Sequence, residues 1–91
     1  MNWRQIIDKY YSDNAELKDI LLRHSSAVAR KALDIAKRHP ELNLDLNFIE
    51  EAAMLHDIGV IKTDAPDIKC YGHEPYIRHG VLGAEMLRAE G

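Results

Sequence analysis

Apolar residues recur at helical spacing along most of this 91-residue chain, and no segment shows the sustained alternation that a β-strand needs. Asn2 and Asn14 are suited to cap the first two helices, because an asparagine side chain can accept a hydrogen bond from the first turn. Gly59 is a natural helix stop, and Pro75 suits the first turn of a last helix. The pattern predicts an all-α fold with helices over residues 2 to 10, 14 to 38, 45 to 58 and 75 to 91, and a loop over residues 60 to 74.

The charge balance narrows the classes of function. Twelve lysines and arginines are scattered among fifteen acidic residues, so the formal net charge is −3. A broad nucleic-acid-binding surface needs clustered positive charge, and we therefore expect no nucleic-acid partner. The apolar runs are too short to span a bilayer, and the N-terminal segment carries charge too early for a signal peptide. With Cys70 as the single cysteine and no export signal, the sequence predicts a cytoplasmic protein without a membrane partner.

Three histidines lie on the apolar faces of separate predicted helices. His24 shares its face with Leu21 and Val28, and His56 and His79 have similar apolar neighbours. Each ring is therefore predicted to point inward. A lone histidine in such a position is usually a core residue that bonds a backbone carbonyl, whereas several imidazoles beside a carboxylate suit a divalent metal ion. Asp57 directly follows His56, and the spacing alone leaves both interpretations open.

The histidines also belong to a pattern that a known family shares. His24, upstream of the run Ala53-Met54-Leu55-His56-Asp57-Ile58-Gly59, resembles the HD superfamily of metal-dependent phosphohydrolases, in the subgroup named for its His-Asp-Ile-Gly signature. The segment over residues 75 to 85 resembles the helix that follows the active-site loop in this subgroup. The resemblance implies an HD-domain-like helical bundle whose metal ligands are His24, His56 and Asp57. It adds His79, because a histidine on that last helix contributes to the site in some relatives.

The family pattern ends with a further aspartate on a helix well downstream. Asp64 and Asp67 lie in the loop and do not match that position. We therefore expect residues 1 to 91 to form a single HD-like helical domain that is incomplete at its C-terminal end. Such a truncation is expected to expose Leu82, Met86 and Leu87, and an exposed apolar patch of this kind predicts a homo-oligomer.

The activity that the resemblance implies is hydrolysis of a phosphate ester or a nucleotide-like substrate. A bound Mn²⁺, Fe²⁺, Zn²⁺, Ni²⁺ or Mg²⁺ would lower the pKa of a coordinated water and polarise a phosphoryl oxygen. Asp57, which would also orient the water, and Lys62 are the predicted catalytic residues. The partner is predicted to be a small phosphorylated molecule, such as a nucleotide, which contacts Lys31, His73 and Arg78.

Two other functions are alternatives to hydrolysis. An HD-like domain without the distal aspartate could bind a ligand without turnover, or associate with a second copy through its exposed helical face. A small DNA-binding helical domain is disfavoured by the acidic net charge and by the lack of a basic recognition helix.

Overall fold

Four α-helices carry the fold in the computed structural model, which describes residues 2–91. They are α1 (Trp3–Tyr11), α2 (Ala15–Arg38), α3 (Leu46–Leu55) and α4 (His79–Glu90). Short 3₁₀ helices lie at Pro40–Leu42, Ile58–Lys62, Pro66–Ile68 and Tyr76–Arg78. The predicted all-α class is confirmed. Within the described residues, no helix has the length and apolar character that a membrane crossing needs.

Side chains placed just before three of the helices fix where those helices begin. Asn2, Asn14 and Asp45 each accept a hydrogen bond at 3.1–3.2 Å from the backbone N–H three residues later. A cap of this kind typically contributes about 1 kcal/mol, because it satisfies a donor that the first turn leaves unpaired. The predicted caps at Asn2 and Asn14 are confirmed. The α2 helix also ends as expected, at Arg38, two residues before Pro40.

The third helix was predicted to continue to Ile58, and that prediction is wrong, because α3 ends at Leu55. The chain then winds more tightly through the 3₁₀ helix Ile58–Lys62, which we call the 3₁₀ segment. Ile58, Gly59 and Val60 are all buried. The side chains of Ile58 and Val60 enter the core, whereas Gly59, which has no side chain, is buried where its backbone meets α4.

The loop after the 3₁₀ segment contains a small β-hairpin, which corrects the prediction that the chain has no strand. The strands are β1 (Asp64–Ala65) and β2 (Cys70–Tyr71), and they pair antiparallel with Ala65 opposite Cys70. Two residues per strand are too few for an alternating pattern to appear. The residue after β2 is Gly72, whose backbone lies against the backbone of Lys62. A side chain would not fit there, because a Cβ on Gly72 would lie 2.3 Å from the carbonyl carbon of Lys62.

The hydrophobic core lies between α1, α2, the 3₁₀ segment and α4. Ile7, Tyr11, Leu17 and Ile58 are its most deeply buried large side chains. The Tyr11 hydroxyl donates a hydrogen bond to the carbonyl oxygen of Ile58 at 2.6 Å. This bond ties α1 to the residue that directly follows Asp57, so the core fixes the chain on one side of the predicted site.

The apolar residues that the truncation was expected to expose are covered. Leu82 and Met86 are 5% and 2% exposed, and Leu87 is half-buried against the core. The expectation failed because these side chains pack inward against the 3₁₀ segment and α1. The large apolar side chains that do reach solvent include Phe48 and Ile77. The homo-oligomer stays a prediction, but the exposed patch of Leu82, Met86 and Leu87 on which it was based is not present.

Candidate metal centre

One carboxylate lies at the point where three histidine rings meet. The Nε2 atoms of His24, from α2, and His56, just after α3, each lie 3.1 Å from Oδ2 of Asp57. The Nε2 atom of His79, the first residue of α4, lies 3.4 Å from the other oxygen, Oδ1. We call these four residues the His–Asp cluster. Segments that are far apart in sequence therefore bring the four predicted metal ligands together.

Backbone contacts fix the orientation of two of the rings. Nδ1 of His56 lies 2.5 Å from the carbonyl oxygen of Ala53, and Nδ1 of His79 lies 2.8 Å from that of Tyr76. A carbonyl oxygen can only accept, so each Nδ1 must carry the proton. In the neutral ring, Nε2 then presents a lone pair toward Asp57. This is the arrangement by which proteins orient a histidine that binds a metal through Nε2.

The geometry of the cluster calls for positive charge between its members. Lone pairs on Nε2 and on a carboxylate repel each other unless a proton or a cation lies between them. Three protonated imidazoles around a single carboxylate would leave an excess of positive charge. One divalent cation would satisfy the facing atoms of His24, His56 and Asp57, since imidazole nitrogen and carboxylate oxygen are both good ligands for such ions.

A smaller set within the cluster has the spacing of a single ion site. One ligand atom each from His24, His56 and Asp57 lie within 4.8 Å of one another. Ligands at about 2.0–2.2 Å from one ion lie roughly 3–4 Å apart, so a modest contraction would complete the site. His79 is not in this set and reaches the carboxylate from its other side. The residues thus fit one divalent ion held by His24, His56 and Asp57, with His79 beside it.

The histidines are more exposed than the sequence predicted. The side chains of His24, His56 and His79 are 56%, 37% and 28% exposed, so they do not point into the apolar core. The prediction was wrong because the apolar face of α2 around His24 is itself partly open, as the 38% exposure of Ile20 shows. The cluster is an open depression that a small molecule can reach.

Two glycines bring α4 close enough for His79 to reach Asp57. A Cβ on Gly59 would lie 2.0 Å from the carbonyl oxygen of His79 and 2.4 Å from the backbone nitrogen of Gly83. Gly59 was predicted to stop a helix and let the backbone turn away. Its φ is not in the left-handed region, and its role is this close approach of two backbone segments. Tyr76 also steadies His79, since their rings stack with centroids 4.7 Å apart.

Burial raises the pKa values of two ionisable groups in the core beside the cluster, Tyr11 and Cys70. Burial raises the pKa of the Tyr11 phenol far above its ordinary value, so the hydroxyl remains a hydrogen-bond donor to Ile58. Burial likewise raises the pKa of the Cys70 thiol, which keeps it protonated and makes it a poor nucleophile. Neither group supplies charge to the cluster.

The other predicted site residues lie around the cluster rather than within it. Lys31 is exposed on α2 two turns beyond His24, and Lys62 is exposed at the end of the 3₁₀ segment. His73 is exposed in the loop, and Arg78 forms an ion pair with Glu74 at 2.9 Å. None of these four lines the cavity next to the cluster. Their roles toward a substrate stay predictions.

Sequence reasoning missed a cavity that opens directly beside the cluster. Its volume is about 150 Å³, and it is lined by His24 and Asp57 together with apolar side chains of α2, the 3₁₀ segment, the hairpin turn and Tyr76. No sequence signal marks it, because its walls come from four separate segments. The sequence did place Leu21 on the same helical face as His24, but it did not show that this face lines a cavity.

Comparison with known proteins gives one curated relative and one family model. A tRNA (cytidine(56)-2'-O)-methyltransferase from Thermoplasma volcanium is 36% identical over 73 residues, which are 80% of this chain and 18% of that protein. The chain therefore spans less than a fifth of the length of that curated relative. No solved structure matches the chain. The His-Asp-Ile-Gly subgroup stays a prediction, but a family model described as HD domain matches residues 21–91, a range that contains the whole His–Asp cluster. This chain belongs to the HD domain family.

Proposed function

We propose that the chain is a metal-dependent phosphohydrolase whose centre is the His–Asp cluster. The observation that carries the proposal is the convergence of three Nε2 atoms, from three different segments, on the two oxygens of Asp57. The donor set suits a divalent first-row ion, and membership of the HD domain family supports phosphate ester chemistry. The identity of the ion is left open by a mixed nitrogen and oxygen site.

The residues take distinct roles in this proposal. His24, His56 and Asp57 hold the cation, which would lower the pKa of a coordinated water and polarise a phosphoryl oxygen. In hydrolysis the water oxygen forms a bond to phosphorus, the P–O bond of the ester breaks, and the departing alkoxide takes up a proton. Oδ2 of Asp57 faces His24 and His56, whereas Oδ1 faces His79, and in this proposal Oδ1 orients the water on that side.

His79 is placed to hold the proton that moves in this reaction. Its Nε2 faces Oδ1 of Asp57 at 3.4 Å, on the side of the carboxylate away from the other two histidines. The carbonyl oxygen of Tyr76 holds the Nδ1 proton, so Nε2 is the atom that can accept and release one. If His79 instead serves as a fourth ligand, its removal will lower metal content as well as turnover, and the two roles can be separated by that measurement.

The relative's printed name does not extend the proposal to methyl transfer. The match covers 18% of the tRNA methyltransferase, so that protein's methyl transfer is not carried over to this chain. We therefore place this chain's chemistry in the HD domain itself.

The proposal is tested by hydrolysis assays on the purified chain supplied in turn with Mn²⁺, Zn²⁺, Ni²⁺, Fe²⁺ and Mg²⁺. We expect release of inorganic phosphate from a panel of phosphate esters, and a loss of at least ~100-fold in His56→Ala and Asp57→Asn, since both remove a metal ligand. His39→Ala is the matched control, because His39 pairs with Glu41 at 3.0 Å beyond the end of α2. Tight metal binding without phosphate release from any ester would instead favour the non-catalytic ligand-binding module.

A further inference from the structure

The cavity beside the His–Asp cluster has the composition of a specificity pocket. At one end it is lined by His24 and Asp57, which would handle the phosphate. The rest of its wall is apolar, with Leu17 and Leu21 on α2 and Val60 in the 3₁₀ segment. Pockets that bind small organic groups combine an apolar wall with a few polar groups in this way. The inference that follows rests on the proposed function and concerns the part of the substrate that is not phosphate.

The rim of the cavity exposes apolar surface from three separate segments. Ile20 of α2, Ile68 of the hairpin turn and Tyr76 before α4 are 38%, 37% and 47% exposed. A single exposed apolar side chain is ordinary, but three around one opening form a patch that gains by being covered. Covering apolar surface releases about 25 cal/mol per Å², so an apolar ligand group would bind here more favourably than a polar one.

The rim of the cavity is also preorganised, because contacts within the chain fix its position. The side-chain amide of Asn14 donates a hydrogen bond to the carbonyl oxygen of Lys69 at 2.8 Å, which ties the hairpin turn to the start of α2. Lys69 has a φ of 65°, a left-handed conformation that costs energy for a residue other than glycine. The Lys69 ammonium further approaches Glu16 at 3.6 Å. These contacts hold the neighbouring Ile68 at the rim without a ligand.

Size and charge limit what the cavity can take. A cavity of about 150 Å³ has room for one benzene-sized group. Among the described residues that line it, none is a lysine or an arginine, so it offers no partner to additional phosphate groups. The only polar side chains of the lining are His24, Asp57 and Tyr76, and the first two belong to the cluster.

From this geometry we infer that the substrate is a phosphate monoester with one apolar, ring-sized organic group, which occupies the cavity while the phosphate lies at the His–Asp cluster. We expect polyphosphates, dinucleotides and esters of small polyols to be poorer substrates, because the cavity would not pair their charges or hydroxyls. Tyr76 contributes twice, since it forms part of the wall and stacks on His79.

The inference is tested by binding of phosphonates, whose C–P bond cannot be hydrolysed. Calorimetric titration of the metal-supplied chain should show phenylphosphonate binding at least ~10-fold more tightly than methylphosphonate, which lacks the ring. Ile20→Ser and Ile68→Ser should reduce that preference by roughly 5-fold or more each, because each removes apolar wall. Ile35→Ser and Ile77→Ser are matched controls, since both residues are exposed isoleucines that do not line the cavity.

Two further readouts separate this inference from the proposed function. In a chain with labelled isoleucine methyl groups, phenylphosphonate should shift the NMR signals of Ile20 and Ile68 and leave those of Ile35 and Ile77 in place. Equal binding of the two phosphonates, or hydrolysis of glycerol phosphate as fast as phenyl phosphate, would overturn the inference and leave the proposed function standing. Selective phenylphosphonate binding without turnover of phenyl phosphate would overturn the proposed function and uphold the ligand class of the cavity.

Discussion

Replacing Gly59 by alanine tests whether a backbone contact between the 3₁₀ segment and α4 builds the site. The new Cβ would lie 2.0 Å from the carbonyl oxygen of His79, whereas ordinary contact begins at 3.4 Å. The two segments must therefore separate by roughly 1.4 Å, the difference between those distances. Both clashing groups are backbone, so no side-chain rotation can relieve the contact. Overpacking of this kind costs about 1–3 kcal/mol.

The expected outcome has two parts, one for stability and one for the site. A loss of about 1–3 kcal/mol corresponds to a fall of at least ~5 °C in the unfolding temperature of a domain this small, measured by circular dichroism. The same displacement carries His79 away from Asp57, from which it is now 3.4 Å distant. A misplacement of about 1 Å at a catalytic group can lower the rate by roughly 100-fold, so phosphate release should fall even at temperatures where the variant is folded.

Gly80→Ala is the matched control for this experiment. Gly80 also lies in α4, directly after His79, but a Cβ there would meet no atom within 4 Å. Alanine at that position should leave the unfolding temperature unchanged or raise it, because alanine favours the helix more than glycine does. The gain in the free energy of unfolding should be at most about 1 kcal/mol. If Gly59→Ala were as stable as the natural chain, or if both substitutions had the same effect, the reasoning about the backbone contact would be refuted.

Three further predictions follow from the core, and a fourth concerns the predicted homo-oligomer. Tyr11→Phe should cost about 1–3 kcal/mol, because it leaves the buried carbonyl of Ile58 without its donor. The pKa of Tyr11 is raised in the folded chain, so its contribution to the free energy of unfolding is present below about pH 10. That contribution is lost as the pH rises further, at up to ~1.4 kcal/mol per pH unit. Urea titrations should show this loss in the natural chain and not in Tyr11→Phe. Ser25→Ala should leave stability unchanged or raise it by about 1 kcal/mol, because the buried hydroxyl of Ser25 has no partner among the described residues. Thr63→Val should lower stability by about 1 kcal/mol, because the hydroxyl of Thr63 donates a hydrogen bond to the carbonyl oxygen of Val60 at 2.7 Å. Sedimentation equilibrium tests the predicted homo-oligomer, which a monomer at all concentrations would exclude.

The helices could be predicted from the sequence because they depend on local pattern, whereas the identity of the cluster residues was implied by the resemblance to a known family. The capping asparagines, Asn2 and Asn14, precede runs of helical periodicity, and both caps form as expected. Helical spacing alone left open whether His24, His56 and Asp57 form a metal site or belong to the core. A resemblance to a family with the same spacing then placed them in one site.

The features that could not be predicted depend on contacts between distant segments. The change of winding after Leu55 was not predicted, and the buried residues of that segment contact α1 and α4, which lie far away in the sequence. The role of Gly59 is visible only when α4 lies against it. The exposure of His24 could not be seen on a helical wheel, because an apolar face need not be covered along its full length. The cavity, with walls from four segments, has no local signal at all.

The central claim, that the His–Asp cluster holds a divalent metal ion, is tested most directly by elemental analysis and calorimetric metal titration of the purified chain. We predict about one ion per chain, bound by the natural chain and by His39→Ala, and binding weakened by at least ~100-fold in Asp57→Asn, which keeps the shape of the side chain and removes its charge. A natural chain that binds none of the five ions, or an Asp57→Asn variant that binds them as tightly as the natural chain, would contradict the account.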